Sequence, residues 1–502
     1  MSKPSVSIRS IYDFLESMSA SDSARRALIS PSQSLSYGEL SGAVSTACGR
    51  LAALGVRPGD RVILAAPNSD DWIVVAHACT RFGAVVCPVD PGLTPGELRR
   101  RIELLGPTLI IGSAQVVEAC ADHPEILRRC LDRGIGSAGD LSWDRVESAN
   151  WKSGQPDPGR LCAILMTSGS AGEPKGVALT GRNLVSGAEH QLRHFSGHGA
   201  QRWLVNLPLH HVGGFIVLFR ALVGWGTIVV QERFNADEAI KAITQHGVTH
   251  LSLVATTLRR LLNADTLQQA AGRLQAALVG GGPCPLGLLA QAQAAGVPVC
   301  PTYGMTEACS QIATWRPGDP PELLGRAAPV IDGIELEIRD EAGHPVENGT
   351  DGEIWIKGPM IAEHYWEGPD RLIPAQQHGW LRTSDIGVME PNRYLRVLGR
   401  SDDAIISGGE KIHPLEIESA LLEIPGIARA VVLGEDDPNW GQSLVAVIQA
   451  TEPIKEGEIL SLLRARLAKF KIPKRVEFLD DWPEGAIGKV RRRDLRLLIL
   501  GK

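Results

Sequence analysis

The sequence has no C-x-x-C pair, no internal repeat, no low-complexity tract and no unbroken apolar run long enough to span a bilayer. Its two longest apolar stretches are interrupted, one by His77 and Arg81 and the other by Arg220. Nine cysteines lie scattered at 48, 79, 87, 120, 130, 162, 284, 300 and 309. An odd number without paired spacing argues against a disulfide framework and against a structural zinc site. Cys79, Cys87 and Cys162 fall in apolar stretches and read as small buried hydrophobes. The first residues, MSKPSVSIRSIYDFLESM, carry no apolar core of the kind a secretory signal needs, so a reducing cytoplasm is the expected compartment. Excess positive charge is missing too. Lys and Arg number 51 against 57 Asp and Glu, a net charge of −6, which removes any global electrostatic case for nucleic acid or an acidic membrane.

What is present is ordinary globular composition, 44% hydrophobic and 22% charged over 502 residues, enough for about three domains at roughly 150 residues each. Residues 34–105 alternate helical periodicity with short Val/Ile/Leu runs. The theme returns at LIIGS, CAILMTS, RWLVNLPL, GTIVVQE, HLSLVA, QAALVGGG and VPVCPTYG. Apolar strands separated by helices predict parallel sheets covered on both faces. From about residue 325 the pattern becomes alternating strands with tight turns, IELEIRDEAGHPVENGTDGEIWIKG, which predicts an antiparallel β-subdomain. After position 401, helix PLEIESALLEI, strands RAVVLGE and SLVAVIQA, helix EGEILSLLRARLAKF and strand RVEFLD predict an α+β unit of about 100 residues. The expected division is therefore 1–400 and 401–502.

The strongest single motif is Thr167-Ser168-Gly169-Ser170-Ala171-Gly172-Glu173-Pro174-Lys175-Gly176, directly after an apolar run. Glycines let backbone amides approach phosphates, hydroxyls donate, and Lys175 adds a point charge. It is not a Walker A loop, because Lys175 follows proline and precedes glycine. The block Thr302-Tyr303-Gly304-Met305-Thr306-Glu307 sets a carboxylate beside a hydroxyl, and Mg²⁺ favours one or two carboxylates plus phosphate oxygens. Asp385 closes Gly379–Asp385 and is suited to bridging two ribose hydroxyls. Gly399-Arg400-Ser401-Asp402-Asp403, Ile406–Lys411 and Gly485–Val490 follow. Taken singly, each segment after the Thr167–Gly176 loop reads more readily as a turn or a surface charge.

In this order the motifs resemble the adenylate-forming superfamily of acyl- and aryl-CoA synthetases, luciferases and peptide-synthetase adenylation domains, over nearly the whole chain. The resemblance implies an α/β and α+β fold. A large N-terminal domain would hold two parallel-rich sheets flanked by helices plus a β-barrel-like subdomain, followed by a small mobile C-terminal lid. It implies ATP and Mg²⁺ as cofactors and coenzyme A as co-substrate. Thr167, Ser168, Gly169, Ser170, Gly172 and Lys175 match the phosphate loop, while Gly281, Gly282, Pro283, Thr302, Tyr303 and Gly304 border the nucleotide. Thr306 matches the acyl-phosphate contact and Glu307 the metal ligand. Asp385 and Arg400 match the ribose pair, Asp402 the hinge, and Lys489 the lysine that bridges carboxylate and α-phosphate. One departure is Ala171, where the family usually has Thr or Ser; a lost hydroxyl donor to a charged phosphate forfeits roughly 1.5–3 kcal/mol.

The acid pocket implied by the resemblance comprises Gly280 and the segment Pro208–Phe215, notably His211 at an aromatic-gate position, Val212, Gly213 and Phe215. His211 also counts among the catalytic positions. Val279–Pro283 and TYGMTEACSQI look most like the o-succinylbenzoate–CoA ligases of menaquinone synthesis, yet no basic residue in the pocket segments offers itself to that acid's second carboxylate. Gly408, Gly409 and Trp440 resemble pantetheine-tunnel elements, and Lys471 and Lys474 stand where CoA ligases meet nucleotide phosphates; a solvated basic face fits those two lysines equally well. Other acyl- or aryl-CoA ligases, a carrier-protein-loading enzyme and a non-catalytic binder remain as alternatives. The expected partners are small molecules, with no nucleic acid and no membrane span, and a homodimer is left open.

Overall fold

Continuous apolar runs do pair as parallel strands, because both faces of each run are covered. The computed structural model describes residues 11–132, 141–152, 157–168, 174–195, 201–369, 371–483 and 492–501. One eight-stranded sheet runs Arg371–Pro374, His364–Gly368, Pro174–Thr180, Leu161–Ser168, Val85–Pro88, Arg61–Ala65, Leu109–Gly112 and Leu127–Cys130. It is parallel from Leu161–Ser168 onward and antiparallel at the other edge. A second eight-stranded sheet runs Ser310–Thr314, Val299–Met305, Ala276–Val279, His250–Leu253, Arg202–Val205, Thr227–Val230, Arg26–Ile29 and Ser34–Ser36. Its outermost pairings are antiparallel and the rest parallel.

Helices Asp70–Phe82 and Val212–Val223 are buried on nearly every face and belong to one core with residues of both sheets. The Asp70–Phe82 helix shows why the sequence folds this way locally. The Ser69 hydroxyl accepts from the Trp72 amide at 3.1 Å, Asp70 and Asp71 fill the first turn, and Gly83 ends it at φ +92°. Trp72 then meets Phe215 edge-to-face at 6.3 Å.

The antiparallel region is an open six-stranded sheet. Its path runs Ala328–Pro329, Tyr394–Arg400, Trp380–Glu390, Asp351–Lys357 and Glu335–Arg339, with Gln376–Gln377 also on Trp380–Glu390. The barrel-like expectation is corrected here. Closure needs two long edges to pair, and one edge strand is only two residues.

A five-stranded sheet follows, built from Ile405–Ser407, Glu410–Ile412, Ile427–Asp437, Gly441–Ala450 and Arg475–Phe478, with its own core around Ile417, Leu421 and Ile448. Lys411 Nζ reaches Glu341 Oε1 at 3.3 Å between this unit and the open sheet. All nine cysteines are free thiols, and eight are buried. Burial pushes the Cys48, Cys162, Cys284 and Cys300 thiols up to about 12. Among the described residues no helix is long and apolar enough to cross a membrane.

Candidate active site

Ligands of open α/β sheets bind at the carboxyl ends of the strands, and the marked motifs gather there. Leu161–Ser168 pairs with Pro174–Thr180 so that Thr167 stands opposite Lys175, with the Thr167 hydroxyl 3.4 Å from the Lys175 carbonyl. Gly169, Ser170, Ala171 and Gly172 lie outside the described residues, as do the Ser168 side chain and Lys489. Strand His364–Gly368 flanks this hairpin with Tyr365 opposite Val177. The Tyr365 hydroxyl donates to Glu307 Oε1 at 3.1 Å, and Lys175 Nζ sits 5.4 Å from the centre of its ring.

Glu307 lies in the short turn Thr306–Ala308, and its carbonyl accepts from the Ala362 amide at 2.7 Å. Burial pushes its carboxyl above the usual range, opposed by Tyr365 and, more weakly, by Lys175. Among the described residues no group of three acids, histidines or cysteines could hold a metal. One carboxylate facing a triphosphate still matches what Mg²⁺ takes when phosphates supply the remaining oxygens.

Upstream of that turn, Val299–Met305 and Ser310–Thr314 form a hairpin so close that a Cβ at Gly304 would land on the Ser310 carbonyl oxygen. The Thr302 hydroxyl is 2.8 Å from that of Thr314, and a Cβ on Gly280 would stand 2.7 Å from Thr302 Cγ2. Gly281, Gly282 and Pro283 follow the end of Ala276–Val279, and around Gly282 there is open space.

Asp385 and Arg400 face each other across neighbouring strands, with Arg400 Nη1 at 3.7 Å from Asp385 Oδ1. Burial raises the Asp385 carboxyl, Asp402 and Asp403 add to the shift, and Tyr303 and Arg400 oppose it. Arg400 also holds Asp402 in a fork, 2.8 Å through Nε and 3.1 Å through Nη2, which keeps the Asp402 carboxyl below its ordinary range. Ser401 donates twice to the Ser384 carbonyl, at 2.9 Å from nitrogen and 3.0 Å from oxygen. Asp403 instead pairs with Arg492 at 3.0 Å, and Arg492 also binds the buried Glu418 at 2.6 Å.

In the acid-pocket segment, buried Asn68 accepts from the Leu209 amide at 2.9 Å and donates to the Leu207 carbonyl at 2.9 Å. His211 precedes the helix that Val212 and Gly213 open, and its ring lies 4.3 Å from that of His210. Phe215 does not line a pocket: it is fully buried against Trp72 and Phe219, because it sits on the inner face of a helix packed between sheets. Five residues further along this helix, sequence reasoning did not take Arg220 as a site residue; it is 1% exposed. Its guanidinium lies 5.3 Å from the Trp203 ring and donates to Gln311 Oε1 at 2.6 Å, and burial pushes it down to about 9. Gln311 passes the chain to Thr314 at 2.7 Å, and Thr314 to Thr302. The signal was in view, since a charge inside VGGFIVLFRALV is out of place in an apolar helix.

In the C-terminal unit, Gly408 has φ +61°, and a Cβ there would come 2.6 Å from Trp440 Cε3. Trp440 is half exposed, with Lys474 Nζ 4.6 Å from its ring, and Gly409 is open to solvent. The structure thus brings four of the five CoA positions together. Lys471 points elsewhere, to Glu416 at 2.6 Å.

Two strand-bordered nucleotide motifs, a lone metal-suited carboxylate and a separate C-terminal unit joined through Arg400–Asp403 define an adenylate-forming enzyme. The chain belongs to the AMP-binding enzyme family: residues 15–366 match that family and residues 416–489 match the AMP-binding enzyme C-terminal domain. It is 34% identical to the 2-succinylbenzoate–CoA ligase of Bacillus pumilus, over 94% of this chain and 95% of that protein. The o-succinylbenzoate CoA synthetase from Bacillus subtilis in complex with the acyl-adenylate intermediate OSB-AMP superposes with TM-score 0.87 at 31% identity, over 96% of this chain and 98% of the other. The same synthetase with ATP and magnesium ion gives TM-score 0.87 at 31% identity over 96% and 99%.

Proposed function

We propose that this chain is a cytoplasmic, ATP- and Mg²⁺-dependent acid–CoA ligase whose acid is o-succinylbenzoate, a step of menaquinone synthesis. In the first half-reaction a carboxylate oxygen attacks the α-phosphorus of ATP and pyrophosphate leaves. In the second, the CoA sulfur attacks the acyl carbon and AMP leaves. Glu307 would supply the carboxylate to the metal, Asp385 and Arg400 the ribose contacts, and Lys489 the cation at the α-phosphate. Gly408, Trp440 and Lys474 form the surface offered to CoA. The free, buried thiols accord with a reducing compartment.

The observation that carries the choice of acid is Arg220. Among the described residues no carboxylate lies within ion-pair distance of it and its Nε has no partner, so a buried cation is left with neutral neighbours. Such a charge is costly until an anion joins it. Arg220 is as buried as Phe215, so a dicarboxylic acid whose first carboxylate lies at the nucleotide would have to open the packing around this helix to bring its second to Arg220. The Gln311–Thr314–Thr302 chain supports this by linking Arg220 to the nucleotide-bordering strand.

The test is Arg220→Met with a panel of acids, ATP and CoA. The ratio kcat/KM for o-succinylbenzoate should fall about a hundredfold, while monocarboxylic aryl acids change little. Pyrophosphate exchange with another acid and none with o-succinylbenzoate would overturn the substrate; turnover with a holo-carrier protein and not with CoA would overturn the acceptor.

A further inference from the structure

We propose that Tyr365 is a positioning residue that keeps Glu307 and Lys175 apart, so that the acid stays available to a metal and the amine to a phosphate. The inference rests on the nucleotide-binding reading of this site. A half-buried carboxylate and an exposed ammonium that meet the same ring attract each other. Yet among the described residues neither Glu307 nor Lys175 is in an ion pair. The tyrosine stands between them. Its hydroxyl donates to Glu307 Oε1 at 3.1 Å, and its ring meets the Lys175 ammonium at 5.4 Å.

The strand register explains why it can do both. Tyr365 pairs with Val177, so Lys175 is a diagonal neighbour on the same face of the adjacent strand. The platform is held from three sides. Tyr365 pairs with Ile373 on its outer flank. The next residue, Trp366, donates its indole N–H to the Leu104 carbonyl at 2.8 Å and packs on Gly176. The Glu307 backbone is tied to Ala362, three residues upstream of the tyrosine. Acid and amine are thus both oriented by one side chain before any nucleotide is present, and an ammonium resting on a ring face can pass to a phosphate without first breaking a salt bridge.

Two variants separate the two ends of the side chain. Tyr365→Phe removes the hydroxyl and keeps the spacer; Tyr365→Leu removes both. Mn²⁺ binding is read by electron paramagnetic resonance in the presence of α,β-methylene-ATP, and binding of that analogue without metal by calorimetry. Tyr365→Phe should weaken Mn²⁺ about tenfold with metal-free analogue affinity within about twofold. Tyr365→Leu should weaken both about tenfold, because the freed Lys175 and Glu307 then pair with each other. Wild-type Mn²⁺ affinity in Tyr365→Phe, or wild-type analogue affinity in Tyr365→Leu, would overturn the proposal. Wild-type protein that takes up neither probe would instead overturn the nucleotide reading beneath it.

Discussion

Tyr303 and Asp385 meet across two sheets: the phenol donates to Asp385 Oδ2 at 2.5 Å while Arg400 flanks the other carboxylate oxygen at 3.7 Å. A half-satisfied, half-buried carboxylate is held ready at the position proposed for the ribose.

That readiness has a stability cost, and Asp385→Asn exposes it. The folded-state pKa of Asp385 is raised, chiefly by burial. An acid shifted upward binds its proton more tightly when folded, so stability falls as pH rises from the unfolded value through the folded one. The penalty is present above the raised folded-state value and absent below the ordinary carboxylate range. Asp385→Asn should therefore raise the melting temperature by about 2 °C at neutral pH, with no gain at acid pH, while ATP binding drops at least tenfold. Equal melting curves at neutral pH would contradict the shift.

Glycines at the nucleotide motifs should separate into structural and ligand-facing ones. Gly304→Ala sets a methyl on the Ser310 carbonyl and should cost more than about 3 kcal/mol, seen as loss of soluble protein or a lowered denaturation midpoint. Gly282→Ala meets nothing within 4 Å and should leave stability within about 0.5 kcal/mol. A tenfold rise in the KM for ATP in that stable variant would show that the empty space belongs to the nucleotide.

Rotation of the C-terminal unit is expected at Asp402. Ser401 is anchored by two hydrogen bonds to Ser384, and Asp403 by Arg492, which leaves Asp402 between two fixed ends. Asp402→Pro fixes φ near −65° and should freeze one pose, preserving pyrophosphate exchange and abolishing thioester formation. Lys489→Ala should give the opposite pattern, with thioester formation from supplied acyl-adenylate retained. Wild-type rates for both half-reactions in the proline variant would move the hinge elsewhere.

Gly408→Ala probes the proposed thiol surface. Its positive φ disfavours a side chain, and the new methyl would collide with Trp440. Single-turnover thioester formation should fall about a hundredfold while pyrophosphate exchange stays within about twofold, since only the second half-reaction uses that face. Equal loss in both assays would mean that the loop supports adenylation as well.

The sequence made local elements legible where one period dominated. Apolar runs such as Ile63–Leu64 and Ile110–Ile111 became buried parallel strands, and the antiparallel turn-rich region and the final α+β unit lie where their patterns change. Partner choice was not legible. His364–Gly368 returns to pair beside Pro174–Thr180, a long-range contact that leaves no trace in local periodicity, and with it went Tyr365. Phe215 misled because it shares the stretch of sequence of the pocket motif while its ring is packed in the core on Trp72 and Phe219. Arg220 was visible as an interruption, but only packing shows that it lacks a counter-charge.

Burial of the cysteines has a practical consequence for watching this enzyme move. With eight of nine thiols buried and the half-buried Cys284 raised to about 12, the native chain should be nearly silent toward maleimides at neutral pH. Reporter cysteines can be added to the natural sequence without first removing any. Lys411 and Glu341, whose charged ends lie 3.3 Å apart across the two units, are a suitable pair for dye labels. Their separation would then serve as a ruler read in real time, one turnover after another.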